Sequence, residues 1–491
     1  MEEKGEIDAP IKDRPNGAWT RLRQHEETMM RLLANGFLCF AVLCLMASFG
    51  QPVLAHDDEV KEKSSKIADD KLPLVDPESF PTRPKPILEL GGPLLGSGNI
   101  DPGFELPTGA VWQPALTVYG GLRSAIQTFD DGTKHTSEWV NRFDLMANLQ
   151  LSGTERLLVG IRPLDQNGRF SGHVFSPNSE NGGVDALNGN ISTLFFEGDI
   201  GEIFPSLDLA DNRALDLGFA VGRQPFTYQE GMLINDTMDS LGVIRNTLLP
   251  TGGSDLQLTF LWAWNEINRN DNREDPGASL YGLFVGADFD RFSANLDVVY
   301  VDGGDYSDGV YLGLSSVQRL GHFNTSFRLL ASRATGQESA AVSDGYLLFG
   351  EVSWTPPWTR DNVYVNAFWG IDAFSSAARG PSAGGPLGRV GILYEAVGIG
   401  QFAAPLGDRP DDSAGGAVGY QLFMADTRKQ LIFEAAARQA VAAGNRVDYG
   451  IGARYQQALG QRWVVRLDAF VADRSALGTG WGTRMEWSVQ F

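Results

Sequence analysis

The chain has 491 residues and carries 61 Asp and Glu against 40 Lys and Arg, which gives a formal net charge of −21. Surfaces that bind nucleic-acid phosphates are usually basic, so this balance argues against a nucleic-acid partner. With 58 glycines and 10% aromatic residues, the composition is typical of a chain with many strands and turns. We therefore expect an all-β protein.

The first predicted element, over residues 1–55, contains an apolar run with the only two cysteines of the chain. A basic residue before the run and small residues after it are typical of a secretory signal peptide, with cleavage after Ala55. Residues 1–28 form a polar extension that signal peptides normally lack, so Met29 and Met30 are alternative starts. A transmembrane anchor stays open as a second interpretation, although the run is short for one.

Residues 56–111 follow as a charged stretch and then a stretch rich in Pro and Gly. Neither has enough large apolar side chains to bury a core, which predicts an extended or disordered periplasmic leader. Removal of the signal peptide would also remove both cysteines, and the remaining histidines form no metal-binding pattern such as H-x-x-x-H. We therefore expect no disulfide, no metal site and no cofactor.

Over residues 112–491 apolar and polar side chains alternate with a period of two, which predicts β-strands. In residues 137–152, for example, Trp139, Phe143 and Leu145 share one face. The alternation recurs in residues 291–300, 322–332, 362–372 and 462–473. Short turns alternate with longer polar loops, which we place at residues 177–189, 268–277 and 374–387. This pattern predicts an antiparallel up-and-down transmembrane β-barrel of roughly 16–18 strands.

A soluble β-sandwich would show the same alternation, but its apolar face would lie inside. Full charges in the middle of strands, and a strand pattern longer than a usual domain, favour a barrel with a polar lumen and a lipid-facing exterior. A closed barrel also gives every backbone donor inside lipid a partner. Aromatic residues near strand ends are typical of girdles at a membrane surface, and they include Trp112, Trp139, Tyr300, Trp354, Trp358, Trp463, Trp481 and Trp487.

The chain finishes with the stretch RMEWSVQF, in which Met485, Trp487, Val489 and Phe491 alternate with polar residues. This stretch resembles the last strand of bacterial outer-membrane β-barrels, which typically finishes on Phe. The resemblance implies a Gram-negative outer-membrane location, with lipid as a neighbour. It also implies that the barrel-assembly machinery recognises this strand, with Trp487 and Phe491 as its assembly signal.

A second stretch, LGFAVGRQPFTYQEGMLINDTMDSLGVIRNTL (residues 217–248), resembles strand–GRQ–loop segments of porins and of alginate-export-type barrels. By that resemblance, the loop over residues 226–245 would fold into the lumen and narrow it. An ordinary surface loop is the alternative interpretation. The residues expected at the constriction are Arg223, Tyr228, Asp236, Asp239 and Arg245.

The polar face of the predicted strands carries many charges, among which arginine is in excess. The residues expected to line the pore are Arg123, Arg142, Asp144, Arg162, Asp297, Arg328, Glu434, Arg438, Arg454, Arg466, Asp468, Arg484 and Glu486. Such an excess would favour anions in a narrow pore. Alternatively, pairs of opposite charge only brace the wall and keep the lumen wet.

These features predict a porin-like channel for the passive diffusion of small polar, preferentially anionic solutes. An exporter of an anionic polysaccharide, of the alginate-export type, is the second interpretation. An outer-membrane hydrolase built around His322 is the third. The sequence contains no G-x-S-x-G elbow and no P-loop, so we expect a protein that is not an enzyme. A homo-oligomer and a monomer both remain open.

Overall fold

The computed structural model describes residues 84–91, 102–176, 181–207, 215–425, 427–441 and 446–491. They belong to the compact unit Thr82–Phe491. The predicted signal peptide and much of the predicted leader lie outside the described residues. Within the described ranges, no helix is long and apolar enough to cross a membrane.

Eighteen antiparallel strands form one closed barrel, which confirms the prediction of an all-β barrel of roughly 16–18 strands. The first nine are β1 (Ala115–Asp130), β2 (His135–Gln150), β3 (Arg156–Ile161), β4 (Ile191–Asp199), β5 (Gly218–Tyr228), β6 (Ile234–Leu248), β7 (Gly253–Asn265), β8 (Ser279–Phe289) and β9 (Phe292–Asp302). The other nine are β10 (Gly309–Leu320), β11 (Phe323–Ala334), β12 (Gly345–Trp354), β13 (Asn362–Asp372), β14 (Ser413–Met424), β15 (Lys429–Ala440), β16 (Val447–Leu459), β17 (Trp463–Arg474) and β18 (Gly478–Gln490).

The barrel closes where β18 pairs with β1. Residues 481–490 lie antiparallel to residues 121–130, and the N–H of Gly120 donates to the carbonyl of Phe491 at 2.9 Å. Every other barrel strand pairs with its neighbours in sequence order. Closure leaves no sheet edge along the wall, so the backbone groups there have partners without help from water.

The connections at the two rims differ in length. Turns such as residues 290–291, 321–322 and 460–462 lie at the rim that also holds Phe491, whereas residues 162–190 and 373–412 connect strands at the opposite rim. The longer loops are where the sequence pattern predicts them, but the last of them is much longer than the predicted 374–387. One connection at the short-turn rim contains a helical turn, Ile200–Ile203.

The outer face of the barrel is apolar. Along β9, Leu296 and Val298 are 43% and 42% exposed, whereas Asp297 between them is 3% exposed. The same alternation gives the barrel a continuous apolar exterior, which includes Ile126, Phe260, Tyr281, Leu283, Leu314, Tyr346, Val418, Phe433, Ile451, Val471 and Met485. Apolar side chains therefore point outward, as a lipid-facing wall requires and as the strand pattern predicts.

Aromatic rings gather near both rims. At the short-turn rim the ring centroids of Phe289 and Phe292 are 4.8 Å apart, and those of Trp354 and Trp358 are 5.8 Å apart. At the opposite rim the aromatic pairs are Trp262 with Trp264 and Tyr281 with Tyr300. Two such belts are the arrangement expected at the two interfaces of a bilayer.

The lumen is not polar along its whole length, contrary to the sequence-based expectation. Two segments fold inside the barrel: the end of the β5–β6 hairpin and residues 373–412. Their buried side chains include Met232 and Leu393, which belong to one apolar core with wall residues such as Leu280, Val299 and Leu347. The inner face of the wall strands is therefore apolar where the hairpin end or residues 373–412 cover it.

Parts of the predicted leader pair with other strands. Leu88–Leu90 lies antiparallel to residues 116–118 of β1, beyond the point where β18 stops pairing. Phe104–Glu105 pairs with Val111–Trp112. These described parts are extended strands, and the part of β1 beyond the seam and a short turn supply their hydrogen-bond partners.

A charge placed on the outer face should destabilise the barrel. We expect Leu296→Lys, in the middle of β9, to cost up to about 2–4 kcal/mol of folding free energy in a bilayer, since lipid cannot solvate the ammonium group. Asn295→Lys, on the inner face next to it, is the matched control. The measurement is a urea titration of folding into lipid vesicles. Equal losses in both variants would contradict the assignment of faces.

Candidate functional site

One arc of the inner wall carries a ladder of arginines. Cross-strand register places Arg466 opposite Glu486, Arg484 opposite Asp468, and Arg123 opposite Arg142. Residues that pair in this way share a face, with their Cβ atoms about 4.5–5.5 Å apart. The arginine ladder lies on β16–β18, β1 and β2 and directly after β3, and it consists of Arg454, Arg466, Arg484, Arg123, Arg142 and Arg162.

Carboxylates lie between these arginines. Asp468 binds Arg454 at 2.5 Å and Arg484 at 2.9 Å. Glu486 binds Arg123 at 2.9 Å and also contacts Arg484. The guanidinium groups are thus held in place by charge-assisted hydrogen bonds, which are stronger than neutral ones.

The arginines of the ladder outnumber its carboxylates. Arg142 and Arg162 share Asp144, at 3.0 and 2.8 Å, and Arg162 also lies 3.6 Å from Asp165. Arg466 has no ion-pair partner among the described residues, its Nε lacks any hydrogen bond there, and its Nη2 reaches Gln456 at 3.3 Å. The ladder therefore has spare positive charge, and Arg466 is the arginine best placed to meet an anion.

Residues 373–412 cross the lumen opposite this ladder, and wall side chains bind their backbone. Asn366 donates to the carbonyls of Arg389 and Val390 at 3.1 and 3.0 Å. Glu434 accepts from the N–H groups of Ile392 and Leu393 at 3.0 and 2.9 Å. Irregular backbone at membrane depth needs such partners, since an unpaired buried N–H or C=O is costly.

The ladder itself takes part in holding this segment. Arg123 donates to the carbonyl of Val397 at 3.3 Å, and Gln127 donates to that of Ile399 at 3.1 Å. Arg454 forms an ion pair of 2.7 Å with Glu395, which is an acid of the segment itself. The ladder and residues 395–399 are therefore in direct contact on this side of the lumen.

Arg379 holds the infolded segments together. Its guanidinium donates to the carbonyls of Gly384 and Gly385, both at 2.7 Å, and to that of Gly231 at 2.6 Å. Arg379 is 2% exposed, and burial lowers its pKa to about 10. The group therefore stays protonated at neutral pH, and its hydrogen bonds link the hairpin end to residues 383–385.

The prediction that residues 226–245 form a loop is wrong, because the segment consists of the end of β5, a tight turn and most of β6. Beyond Arg223 the hairpin no longer pairs with β4, and before Asp239 it does not pair with β7. The hairpin end, residues 224–238, therefore leaves the wall. Its tip meets the inner face: Tyr228 stacks on Phe284 at 3.5 Å between ring centroids.

The predicted constriction residues thus fall into two groups. Arg223 and Asp239 form an ion pair of 2.7 Å in the wall, and Arg245 donates to the carbonyl of Asp216 at 2.7 Å. Tyr228 and Asp236 belong to the hairpin end. The carboxylate of Asp236 accepts from the N–H of Asn268 at 2.8 Å.

Four predicted pore-lining residues hold the infolded segments. Besides Glu434, Arg438 donates to the carbonyls of Leu406 and Arg409, and Asp297 accepts from Gln229 at 2.7 Å. Arg328 lies 3.6 Å from Glu230 at the hairpin tip. These residues reach the lumen but lie on other strands than the ladder.

The sequence-based prediction missed most of residues 373–412. Arg379, Glu395 and the wall residues Gln127 and Glu138 were absent from it. One signal was present: Leu387, Val390, Leu393 and Tyr394 are large apolar residues in a stretch between strands, and all are buried. An exposed loop would not carry so many.

The structure also describes the surroundings of His322 and of the possible metal ligands in the described ranges. His322, in the turn between β10 and β11, is exposed to solvent. Within the described ranges, no group of His, Cys, Asp or Glu is arranged to hold a metal ion. The proposed assembly residues lie at the seam, where the ring of Phe491 is 5.9 Å from that of Phe143.

No protein-family model and no curated protein sequence matches the chain. Solved structures match its fold. OccAB2 of Acinetobacter baumannii is 12% identical with a TM-score of 0.51, over 77% of this chain and 98% of its own. OccK2 (OpdF) of Pseudomonas aeruginosa is 13% identical with a TM-score of 0.52, over 77% and 97%.

A third match is OpdK of Pseudomonas aeruginosa solved with vanillate, which is 14% identical with a TM-score of 0.51 over 77% of this chain and 98% of its own. The matched proteins are outer-membrane porins. The chain therefore has the fold of a Gram-negative outer-membrane porin, as predicted.

Loss of Arg379 should loosen the infolded segments without opening the wall. We expect Arg379→Ala to leave several buried carbonyls without a donor, to raise single-channel conductance and noise, and to expose residues 373–412 to protease. The measurements are planar-bilayer recording and limited proteolysis of the folded barrel. Arg319→Ala, at an exposed arginine near the short-turn rim, is the control, and equal behaviour of the two variants would contradict the role of Arg379.

Proposed function

We propose that the protein is an outer-membrane channel through which small polar solutes, preferentially anions, diffuse passively. The observation that carries the proposal is the arginine ladder, in which the arginines outnumber the carboxylates that bind them. A row of positive sites raises the local concentration of anions and lowers the barrier to their passage. Passage also needs binding weak enough to release the solute, and a row of similar sites allows stepwise movement.

Carboxylates are the anions that the ladder suits best. A guanidinium group presents planar N–H donors that match the two oxygens of a carboxylate. The structure of OpdK with vanillate, an aromatic carboxylate, comes from a protein of the same fold and supports this class of solute. We therefore propose small organic carboxylates as the preferred solutes of this chain.

The infolded segments favour small solutes over a polymer. The hairpin end and residues 373–412 cross the lumen and pack against each other through fully buried side chains such as Met232 and Leu387. A polysaccharide chain would need these segments to leave the lumen, at the cost of their apolar contacts. This argues against the exporter, the alternative that the sequence leaves open.

Channel recordings test the selectivity. We expect an anion-selective reversal potential in a KCl gradient, and we expect Arg466→Gln to lower the anion-to-cation permeability ratio by about twofold, because it removes a positive charge without breaking an ion pair. Arg333→Gln, which lies opposite the exposed Val310 on the outer face, is the matched control. Swelling of protein-loaded vesicles in benzoate and in neutral sugars of similar size measures solute preference. Cation selectivity of the unmodified channel would contradict the proposal.

A further inference from the structure

A second group of charged side chains lies in the lumen, away from the arginine ladder. This mixed-charge cluster consists of Arg328 on β11, Glu351 on β12, Glu230 at the hairpin tip and Arg389 in the crossing segment, residues 373–412. Arg328 and Glu230 approach to 3.6 Å, Arg389 and Glu230 to 3.7 Å, and Arg389 and Glu351 to 3.6 Å. Direct charge-assisted hydrogen bonds are about 2.7–2.9 Å long, so opposite charges face each other here without such a bond.

Arg328 is buried but has few partners. Its side chain is 4% exposed, and its Nε and Nη1 have no hydrogen-bond partner among the described residues. Its guanidinium carbon lies 5.6 Å from the ring centre of Phe349, which is its cross-strand neighbour. A buried cation normally has a full set of acceptors, so Arg328 has donors to offer to a ligand.

Two further polar atoms around the cluster have no hydrogen-bond partner among the described residues. The hydroxyl of Ser326 lies on the same strand two residues away, and therefore on the same face. The side-chain carbonyl of Gln229, next to Glu230, is the other. Donors and acceptors without partners thus occur together around the mixed-charge cluster.

The backbone at the hairpin tip is strained in a way that serves this arrangement. Gln229 and Glu230 have φ angles of 52° and 55°, which residues other than glycine seldom adopt. This conformation directs Gln229 toward Asp297 and Glu230 toward Arg328. Strained residues of this kind tend to occur where the side-chain direction matters for function.

We propose that the mixed-charge cluster is a second solute site, and that its ligand is a small zwitterion that carries a carboxylate and an ammonium group. The carboxylate binds Arg328 and Ser326, and the ammonium group binds Glu230 and Glu351 in place of the guanidinium of Arg389, which faces both acids in this structure. The inference rests on the proposed channel function, since the site is reached through the lumen.

The balance of charge in the cluster favours a zwitterion over a simple anion. Arg328 and Arg389 offset Glu230 and Glu351, so a bare anion would add a charge without a counterion, which is costly in a poorly hydrated site. A zwitterion adds no net charge. The ladder differs in having a surplus of arginine.

The test uses glycine as the zwitterion, with acetate and methylammonium as its two halves, added to the full-length channel in planar bilayers. We expect glycine to reduce the current of the unmodified channel, and acetate and methylammonium each to do so only at about tenfold or higher concentration. We expect Arg328→Gln and Glu230→Gln each to raise the half-blocking concentration of glycine by about tenfold. Arg333→Gln, which lies opposite the exposed Val310 on the outer face, should leave it unchanged.

Glu230→Gln keeps the proposal testable if the buried Arg328→Gln variant fails to fold, because Glu230 is half-exposed. Equal block by glycine and acetate, or an unchanged glycine block in Glu230→Gln, would overturn the zwitterion site. The ladder variant Arg466→Gln separates the two proposals: it should lower anion selectivity and retain the glycine block. An anion-selective channel that glycine does not block would overturn this inference alone, whereas a chain that forms no channel would overturn the proposed function first.

Discussion

The structure depends on one constraint: backbone that leaves the barrel wall and crosses the lumen must still have hydrogen-bond partners. The wall strands satisfy one another, but residues 373–412 have little regular structure of their own. Side chains of the inner wall supply the missing partners, as Asn366 and Glu434 do for residues 389–393. Arg379 does the same from within the segment. The inner wall is therefore polar in part because it has to hold a peptide chain in place.

This requirement gives many lumen charges two uses. Arg123 binds a carbonyl of the crossing segment and also contributes to the row of positive charge. Arg466, in contrast, binds no part of that segment in the described structure, so its charge remains available to solutes. The same contrast separates the two arcs of the wall. The arc from β16 through β18 and across the seam to β3 has surplus arginine. The arc of β11 and β12 has charges of both signs around the buried guanidinium of Arg328.

The strands could be predicted from sequence, and the crossing segment could not. Alternation along residues such as Leu296, Asp297 and Val298 follows from local geometry, because a strand shows successive side chains to lipid and to lumen. The core residues Leu393 and Tyr394 follow no such period, and their burial depends on contacts with strands far away in sequence. The hairpin residues 224–238 look like a polar loop for a related reason: the two arms pair with each other, but not with the neighbouring wall strands β4 and β7. The ion pair of Arg484 with Asp468 depends on the cross-strand register, which alternation alone does not provide.

The seam between β1 and β18 sets the order in which such a molecule can be built. Its two strands, paired over residues 121–130 and 481–490, are among the contacting segments most widely separated along the chain, so their encounter has the largest loop-closure entropy. The apolar interior would be hard to reach once the ring is shut. The hairpin end and residues 373–412 are therefore expected to dock on the growing sheet before the ring closes. Leu88–Leu90 pairs with β1 next to the seam and would then bind last, after the barrel has closed.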